Sequence, residues 1–149
     1  MQFVRTTVLC IGLLFLGQSL VHAQDVRLAQ QALQCAVLMD TLAHADVGAS
    51  DQAPRWQRAA NVLQDVHRKA LGGTAPDAGA RQQVLAQLQA AHAQRSAALQ
   101  EDVVVCGAWA EGFLAQGAQV QYVPVYPKVI APALRSQYAD VARAWLAPR

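Results

Sequence analysis

The chain has 149 residues, with 12 Lys and Arg against 10 Asp and Glu, and a formal net charge of +2. So small a charge, with basic residues spread along the chain, gives no electrostatic reason to expect nucleic acid or an anionic membrane as a partner. The length is that of a single domain.

The N-terminal residues have the pattern of a secretory signal peptide. Arg5 precedes an apolar run over residues 8–16, and Val21-His22-Ala23 forms a cleavage signal that ends in a small residue. Polar or small residues at 17–19 interrupt the run well before the roughly 20 apolar residues that a transmembrane helix needs. The segment is therefore expected to be removed rather than to anchor the protein.

Cleavage is predicted between Ala23 and Gln24. Residues 1–23 are then the signal peptide, and residues 24–149 form one mature domain without a membrane anchor. We expect this domain to be periplasmic or secreted, in a bacterium.

Two cysteines, Cys35 and Cys106, remain once Cys10 leaves with the signal peptide. In an exported protein this even, minimal count favours one disulfide, with free thiols as the alternative. The Cys-x-x-Cys of a redox centre is absent, and no histidine lies within four residues of either cysteine to complete a zinc site. We predict a structural disulfide that contributes about 4 kcal/mol in the chain-entropy treatment.

Two amphipathic helices are predicted to follow the signal peptide, the first over residues 25–45 and the second over residues 52–71. Gly48 and Pro54 break the chain between them, and the pair at 72–73 ends the second. Apolar residues recur in both at spacings of three and four, as on the buried face of a helix. The predicted core positions are Leu28, Ala32, Cys35, Met39, Leu42, Trp56, Ala59, Leu63, Val66 and Ala70.

The longest helical pattern runs from residue 77 to residue 117, with Thr74 as the predicted N-cap. Read as one helix it would be about 60 Å long. Arg95 and Asp102 fall in the middle of its apolar stripe, where a continuous buried helix should not place charges. We therefore expect a kink or break between them, with one unbroken helix as the alternative. The stripe consists of Val84, Leu85, Leu88, Ala91, Leu99, Val103, Cys106, Trp109, Ala110 and Phe113.

A non-helical segment and a last helix complete the chain. The residues "AQVQYVPVYPK" after Gly117 contain too many β-branched residues and prolines for a helix. The last helix is predicted over residues 130–146, with Pro132 tolerated in its first turn. The sequence thus predicts an all-α protein, an antiparallel up-and-down bundle of four principal helices, or five, with one disulfide between the first helix and a later one.

The segment "VQYVPVYP" is the best candidate for a binding element. Tyr122, Val123, Val125 and Tyr126 place apolar and aromatic groups on a linker that prolines stiffen, and tyrosine is favoured at interfaces. The alternative is that these side chains cover one end of the bundle.

A second functional hypothesis is a carrier that binds a small apolar ligand between helices, near Trp109, Phe113 and the segment from Tyr122 to Tyr126. A cavity lined by these residues would favour the carrier. A filled core, with Tyr122 and Tyr126 projecting outward, would favour a protein partner.

The sequence contains no recognisable catalytic or metal-binding arrangement. His44 lies at a helix end, His67 on a predicted polar face and His92 at the edge of the apolar stripe, and no two of them are three or four residues apart. No serine lies in a nucleophile-elbow motif, and the sparse acidic residues form no catalytic pair. We predict no catalytic residue, no cofactor and no metal site, although an enzyme whose groups converge only in the fold stays open.

The leading hypothesis is an exported, non-catalytic helical protein that acts through protein–protein contacts. It would serve as an inhibitor, an immunity-type protein, an accessory subunit or a chaperone-like binder, and the sequence does not identify the partner. A homo-oligomer could form along a polar face that carries amides rather than charges, although a solvated face is the simpler interpretation. The amides are Gln82, Gln83, Gln87, Gln89 and Gln94.

Overall fold

The computed structural model describes the backbone of residues 7–73 and 78–149, and the side chains of these ranges from residue 25 onward. Over these residues the protein is all-helical, and no strand is present. The predicted fold class is confirmed, with five helices in the described part of the chain. They are α1 (Thr7–His44), α2 (Gln52–Ala70), α3 (Ala78–Ala93), α4 (Ala97–Leu114) and α5 (Pro132–Leu146). The predicted cap at Thr74 lies outside the described residues.

Helix α1 begins earlier than the predicted residue 25 and continues through the predicted cleavage site. Ala23 and Gln24 both lie within it, and their side chains are outside the described set. Cleavage there stays a prediction. Within the described residues, no helix combines the length and the apolar character that a membrane span requires.

Helices α1 and α2 bury the faces that their periodicity predicts. Of the ten predicted core positions, only Leu28 and Ala70 are half-buried, and the others are buried. Helix α1 buries a wider face than predicted because it packs against α2, α3 and α4. The additional buried residues of α1 are Ala29, Leu33, Ala36, Val37 and Leu38.

Helices α4 and α5 complete the core. Helix α4 buries Val103, Trp109 and Phe113 on its predicted face, and α5 packs mainly against α4. Their close approach depends on Gly107, because a Cβ placed there would lie 2.2 Å from the ring of Tyr138. Glycine at this position is therefore required by packing, since the ring occupies the space that any side chain would need.

The expected break between Arg95 and Asp102 is confirmed, and it lies at the first of them. Helix α3 ends at Ala93, and Arg95 has φ of +51°, a left-handed conformation that reverses the chain before α4 begins at Ala97. Arg95 is exposed at this turn. Because the helix ends before Arg95, its charged side chain lies in solvent and not on the buried face of a helix.

Helix α3 differs from the other helices in that none of its residues is fully buried. Val84, Leu88 and Ala91 are half-buried and Leu85 is exposed, so the prediction of Leu85 as a core residue is wrong. The helix presents its apolar residues toward α1 and α4, but neither helix approaches closely enough to cover them.

Candidate functional site

Cys35 and Cys106 form the predicted disulfide between α1 and α4, with an S–S distance of 2.07 Å and a Cα–Cα distance of 5.1 Å. Both residues are about 1% exposed and belong to the hydrophobic core. A disulfide enclosed in this way is inaccessible to a redox partner. Its position supports a structural role, as predicted.

Three of the six candidate binding residues point into the protein. Trp109 and Phe113 are each 1% exposed, and the half-buried ring of Tyr126 lies edge-on to Trp109 with 5.2 Å between the ring centroids. The indole N–H of Trp109 donates a hydrogen bond to the backbone oxygen of Pro124 at 2.9 Å. These aromatic residues pack the segment after α4 against the core. They do not line any of the clefts described below.

The other three candidates point to solvent. Tyr122 is 66% exposed, Val123 47% and Val125 85%, and Val129 further along the same segment is 91% exposed. Val123 and Val125 alternate with Pro124 and Tyr126, which face the core, as on an extended chain with one covered side. We call residues 120–129 the apolar strap.

Gln116 holds the start of the apolar strap in place. Its side-chain oxygen accepts hydrogen bonds from the amides of Gln121 and Tyr122, and its side-chain nitrogen donates to the backbone oxygen of Tyr122 at 2.9 Å. Gln116 was not among the predicted site residues. The signal was weak: a glutamine one position before Gly117, a glycine that has φ of +78°.

Two backbone amides of the apolar strap make no hydrogen bond to the described residues. Its hydrogen bonds to the rest of the described chain involve residues 121, 122 and 124, and the amides of Val123 and Val125 have no partner there. Unpaired backbone amides beside exposed β-branched side chains are what a strand edge presents to an incoming chain.

A cleft of about 390 Å³ lies between α1, α3 and α4, and we call it the α3 cleft. Its walls combine apolar side chains with amides and one carboxylate. A second cleft, of about 230 Å³, borders the opposite side of α3 next to His92 and Trp145. The α3 cleft is lined by Gln30, Gln34, Leu38, Gln83, Val84, Gln87, Leu88, Ala91, Leu99 and Asp102.

Asp102 is the one acidic residue that lines the α3 cleft. Its carboxylate accepts a long hydrogen bond, 3.5 Å, from the side-chain nitrogen of Gln34. Partial burial, and then the neighbouring charge of Glu101, raise the pKa of Asp102 above the usual aspartate value. Burial, together with the charge of Asp102, also raises the pKa of Tyr126. No cation within the described residues compensates this carboxylate.

A polar network joins α2, α4 and α5 on the far side of the core. The hydroxyl of Tyr138 donates to Glu111 at 2.7 Å and accepts from the indole N–H of Trp56 at 3.3 Å. Arg55 pairs with the other oxygen of Glu111 at 2.7 Å. Burial and the hydrogen bond to Glu111 raise the pKa of Tyr138 strongly, so this phenol stays protonated. Every group has a partner, which indicates a network that holds helices together.

His67 and His92 each contact a neighbouring helix. His67 is buried, with Nδ1 2.6 Å from the backbone oxygen of Ala29, so its predicted place on a polar face is wrong. The stripe of α2 is wider there because α1 covers it. His92 contacts the ring and the backbone oxygen of Trp145. Within the described residues, no three His, Cys, Asp or Glu side chains lie close enough to hold a metal ion.

Comparison with known proteins finds no matching family model, no similar curated protein and no similar solved structure.

Proposed function

We propose that this protein is exported and acts without catalysis, through protein–protein contacts made by the apolar strap. The observation that carries the proposal is the two-sided construction of this segment. Pro124 and Tyr126 are fixed against Trp109, while Tyr122, Val123 and Val125 are held in solvent. A segment fixed in this way loses little conformational entropy when it binds.

The partner that this surface suits is an extended apolar segment. Valine and tyrosine side chains offer area for burial, and the free amides of Val123 and Val125 can pair with carbonyl groups of an added chain. Exposed apolar side chains grouped in one short segment are a feature of interaction sites. Inhibitor, immunity-type, accessory and chaperone-like roles are all consistent with such a surface.

Export is part of the proposal. A buried disulfide between Cys35 and Cys106 is compatible with folding in an oxidising compartment, and the N-terminal sequence has the pattern of a signal peptide. We propose a periplasmic or secreted location in a bacterium, after cleavage behind Ala23.

Site-specific photo-crosslinking in the native host tests the surface directly. Photoreactive residues replace Tyr122, Val123 and Val125 in separate variants, and a matched one replaces Gln137, which is exposed on α5 outside the strap. We expect a covalent adduct at position 125 and none at 137, and mass spectrometry of the adduct identifies the partner or a second copy of this chain. Absence of an adduct at 122, 123 and 125 alike would refute the proposal.

Loss of binding is tested with Val125→Asp against Gln137→Asp. The two variants add the same charge at exposed positions, but only the first does so in the apolar strap. Tyr126→Ala is unsuitable for this purpose because Tyr126 packs on Trp109, and its loss would disturb the fold. We expect at least a tenfold loss of affinity for Val125→Asp, since a carboxylate would then be desolvated at the interface.

The alternative function, a carrier of a small ligand, has a different basis in the structure. The aromatic residues near Trp109 fill the space where the ligand was expected, whereas the α3 cleft is open. If the protein carries a small ligand, the α3 cleft is the site that would hold it.

A further inference from the structure

The α3 cleft has the size and the mixed chemistry of a small-molecule site. Its volume of about 390 Å³ falls in the range of pockets that hold small ligands, about 300–1,000 Å³. Leu38 and Leu99, each at most 2% exposed, lie at its base, and Leu88 forms part of the opposite wall. The half-buried side chains of Val84, Leu88 and Ala91 supply the accessible apolar surface of the cleft.

The polar groups of the cleft select the charge of the ligand. Three acidic residues are half-buried among the described residues: Asp40, Asp102 and Glu111. Arg81 pairs with Asp40 at 3.3 Å and Arg55 pairs with Glu111 at 2.7 Å. Among the described residues, no cation lies beside Asp102. This is unfavourable, because partial burial of a carboxylate without a compensating charge costs free energy.

We propose that the α3 cleft binds a small amphipathic amine, with its apolar body between Leu38, Leu88 and Leu99 and its ammonium group against the carboxylate of Asp102. The amine would supply the positive charge that the described residues do not place beside this carboxylate. The side-chain oxygen of Gln34, whose nitrogen already donates to Asp102, is available to accept a second hydrogen bond from the ammonium.

Helix α3 suits the role of a wall that admits a ligand. It has no fully buried residue, and polar contacts hold it at two points: Arg81 with Asp40, and His92 with the backbone oxygen of Trp145 at 3.0 Å. Between these points it is bordered by open space on both sides. An outward movement of α3 would therefore widen the cleft and give a ligand more access to Leu38 and Leu99.

Isothermal titration calorimetry of the oxidised full chain with three probes of equal length tests the proposal: octylamine, octanol and octanoate. We expect octylamine to bind at least tenfold more tightly than octanol, because a charge-assisted hydrogen bond replaces a neutral one, and octanoate to bind least. Undetectable octylamine binding, or equal affinity for octylamine and octanol, would overturn the proposal.

Two variants locate the site. Asp102→Asn should remove the preference for the amine, whereas Glu101→Gln, which changes the adjacent exposed carboxylate that pairs with Arg135, should leave it unchanged. Ala91→Phe should fill the cleft and abolish octylamine binding while circular dichroism shows the helices intact. Amine preference that survives Asp102→Asn, or octylamine binding that survives Ala91→Phe, would place the ligand elsewhere and contradict the proposal.

Discussion

Helices α3 and α4 are neighbours along the chain and are held in very different ways. Helix α4 buries eight residues and is joined to α1 by a disulfide, whereas α3 buries none. Both carry an apolar stripe, so amphipathicity by itself does not determine how firmly a helix is held. Buried side chains and a disulfide make the difference, because α3 contacts the core through half-buried residues such as Leu88 and Ala91 and through its two polar tethers, at Arg81 and His92.

The contrast separates the firmly packed part of the molecule from the part that carries the two proposed binding surfaces. The disulfide and the Tyr138 network lie where helices must stay fixed. The α3 cleft lies where the packing is open, and the apolar strap lies outside the core. Binding regions are commonly drawn from the less stable parts of a fold, since they need accessible or movable groups.

The largest expected effect is that of removing the disulfide, as in Cys35→Ala/Cys106→Ala. The link closes a loop with a sequence separation of 71, so its loss should lower the free energy of unfolding by about 4 kcal/mol. Urea denaturation measures this change. Reducing agent present during urea unfolding should destabilise the wild type similarly, because it reaches the disulfide once the core opens, and should leave the double variant unaffected. A loss below about 1 kcal/mol would show that packing alone joins α1 to α4.

Gly107→Ala tests how closely α5 lies against α4. Helix propensity alone predicts a gain of up to about 1 kcal/mol, because alanine is the better helix former. The added Cβ would meet the Tyr138 ring at 2.2 Å, and overpacking of this kind costs about 1–3 kcal/mol or more. We expect a net loss in urea denaturation. An increase in stability would mean that α5 can move away at little cost.

Tyr138→Phe removes the hydroxyl at the centre of the polar network while retaining the ring. The indole N–H of Trp56 and one oxygen of Glu111 then lose their partner, which should cost about 1–3 kcal/mol. Thermal and urea denaturation measure the loss. The exposed Tyr122→Phe is the matched control and should change stability by less than about 0.5 kcal/mol. Equal effects of both substitutions would show that the network contributes nothing.

The smallest effect is expected from Asp102→Asn, which should raise the free energy of unfolding where the other substitutions lower it. Burial and Glu101 raise the pKa of Asp102 in the folded protein, so ionisation of this residue opposes folding. This destabilising contribution is absent below the unfolded-state pKa and reaches its full size once pH exceeds the raised folded-state pKa. The variant should therefore be more stable than the wild type at neutral pH, by a few tenths of a kcal/mol. Reduced stability of the variant at neutral pH would contradict an uncompensated carboxylate.

Much of the fold was predictable from local pattern. The stripes of α1, α2 and α4 repeat at helical spacing and are buried, and charges within the stripe at Arg95 and Asp102 indicated the break. The disulfide followed from the cysteine count together with the signal-peptide pattern of the N-terminal sequence. The helices depend on residues that are near one another in sequence. The disulfide could be predicted because two cysteines can pair in only one way.

Two features could not be predicted from the sequence. One is the open packing of α3, and the other is which candidate binding residues face the core and which face solvent. Periodicity identifies which face of α3 is apolar, but the distance to α1 and α4 is determined by contacts elsewhere in the fold. Tyr122 and Tyr126 occur in nearly the same sequence context, yet one is exposed and the other packs on Trp109. Only the course of the strap over α4 distinguishes them.

Amide hydrogen exchange of the oxidised protein tests the central contrast most directly. If α3 is held by two polar tethers while α4 is bound into a disulfide-linked core, amides of residues 82–93 should exchange through openings of much lower free energy than those of residues 101–113. We expect protection at least a hundredfold lower in α3, which corresponds to about 3 kcal/mol. Equal protection in the two helices would contradict the account.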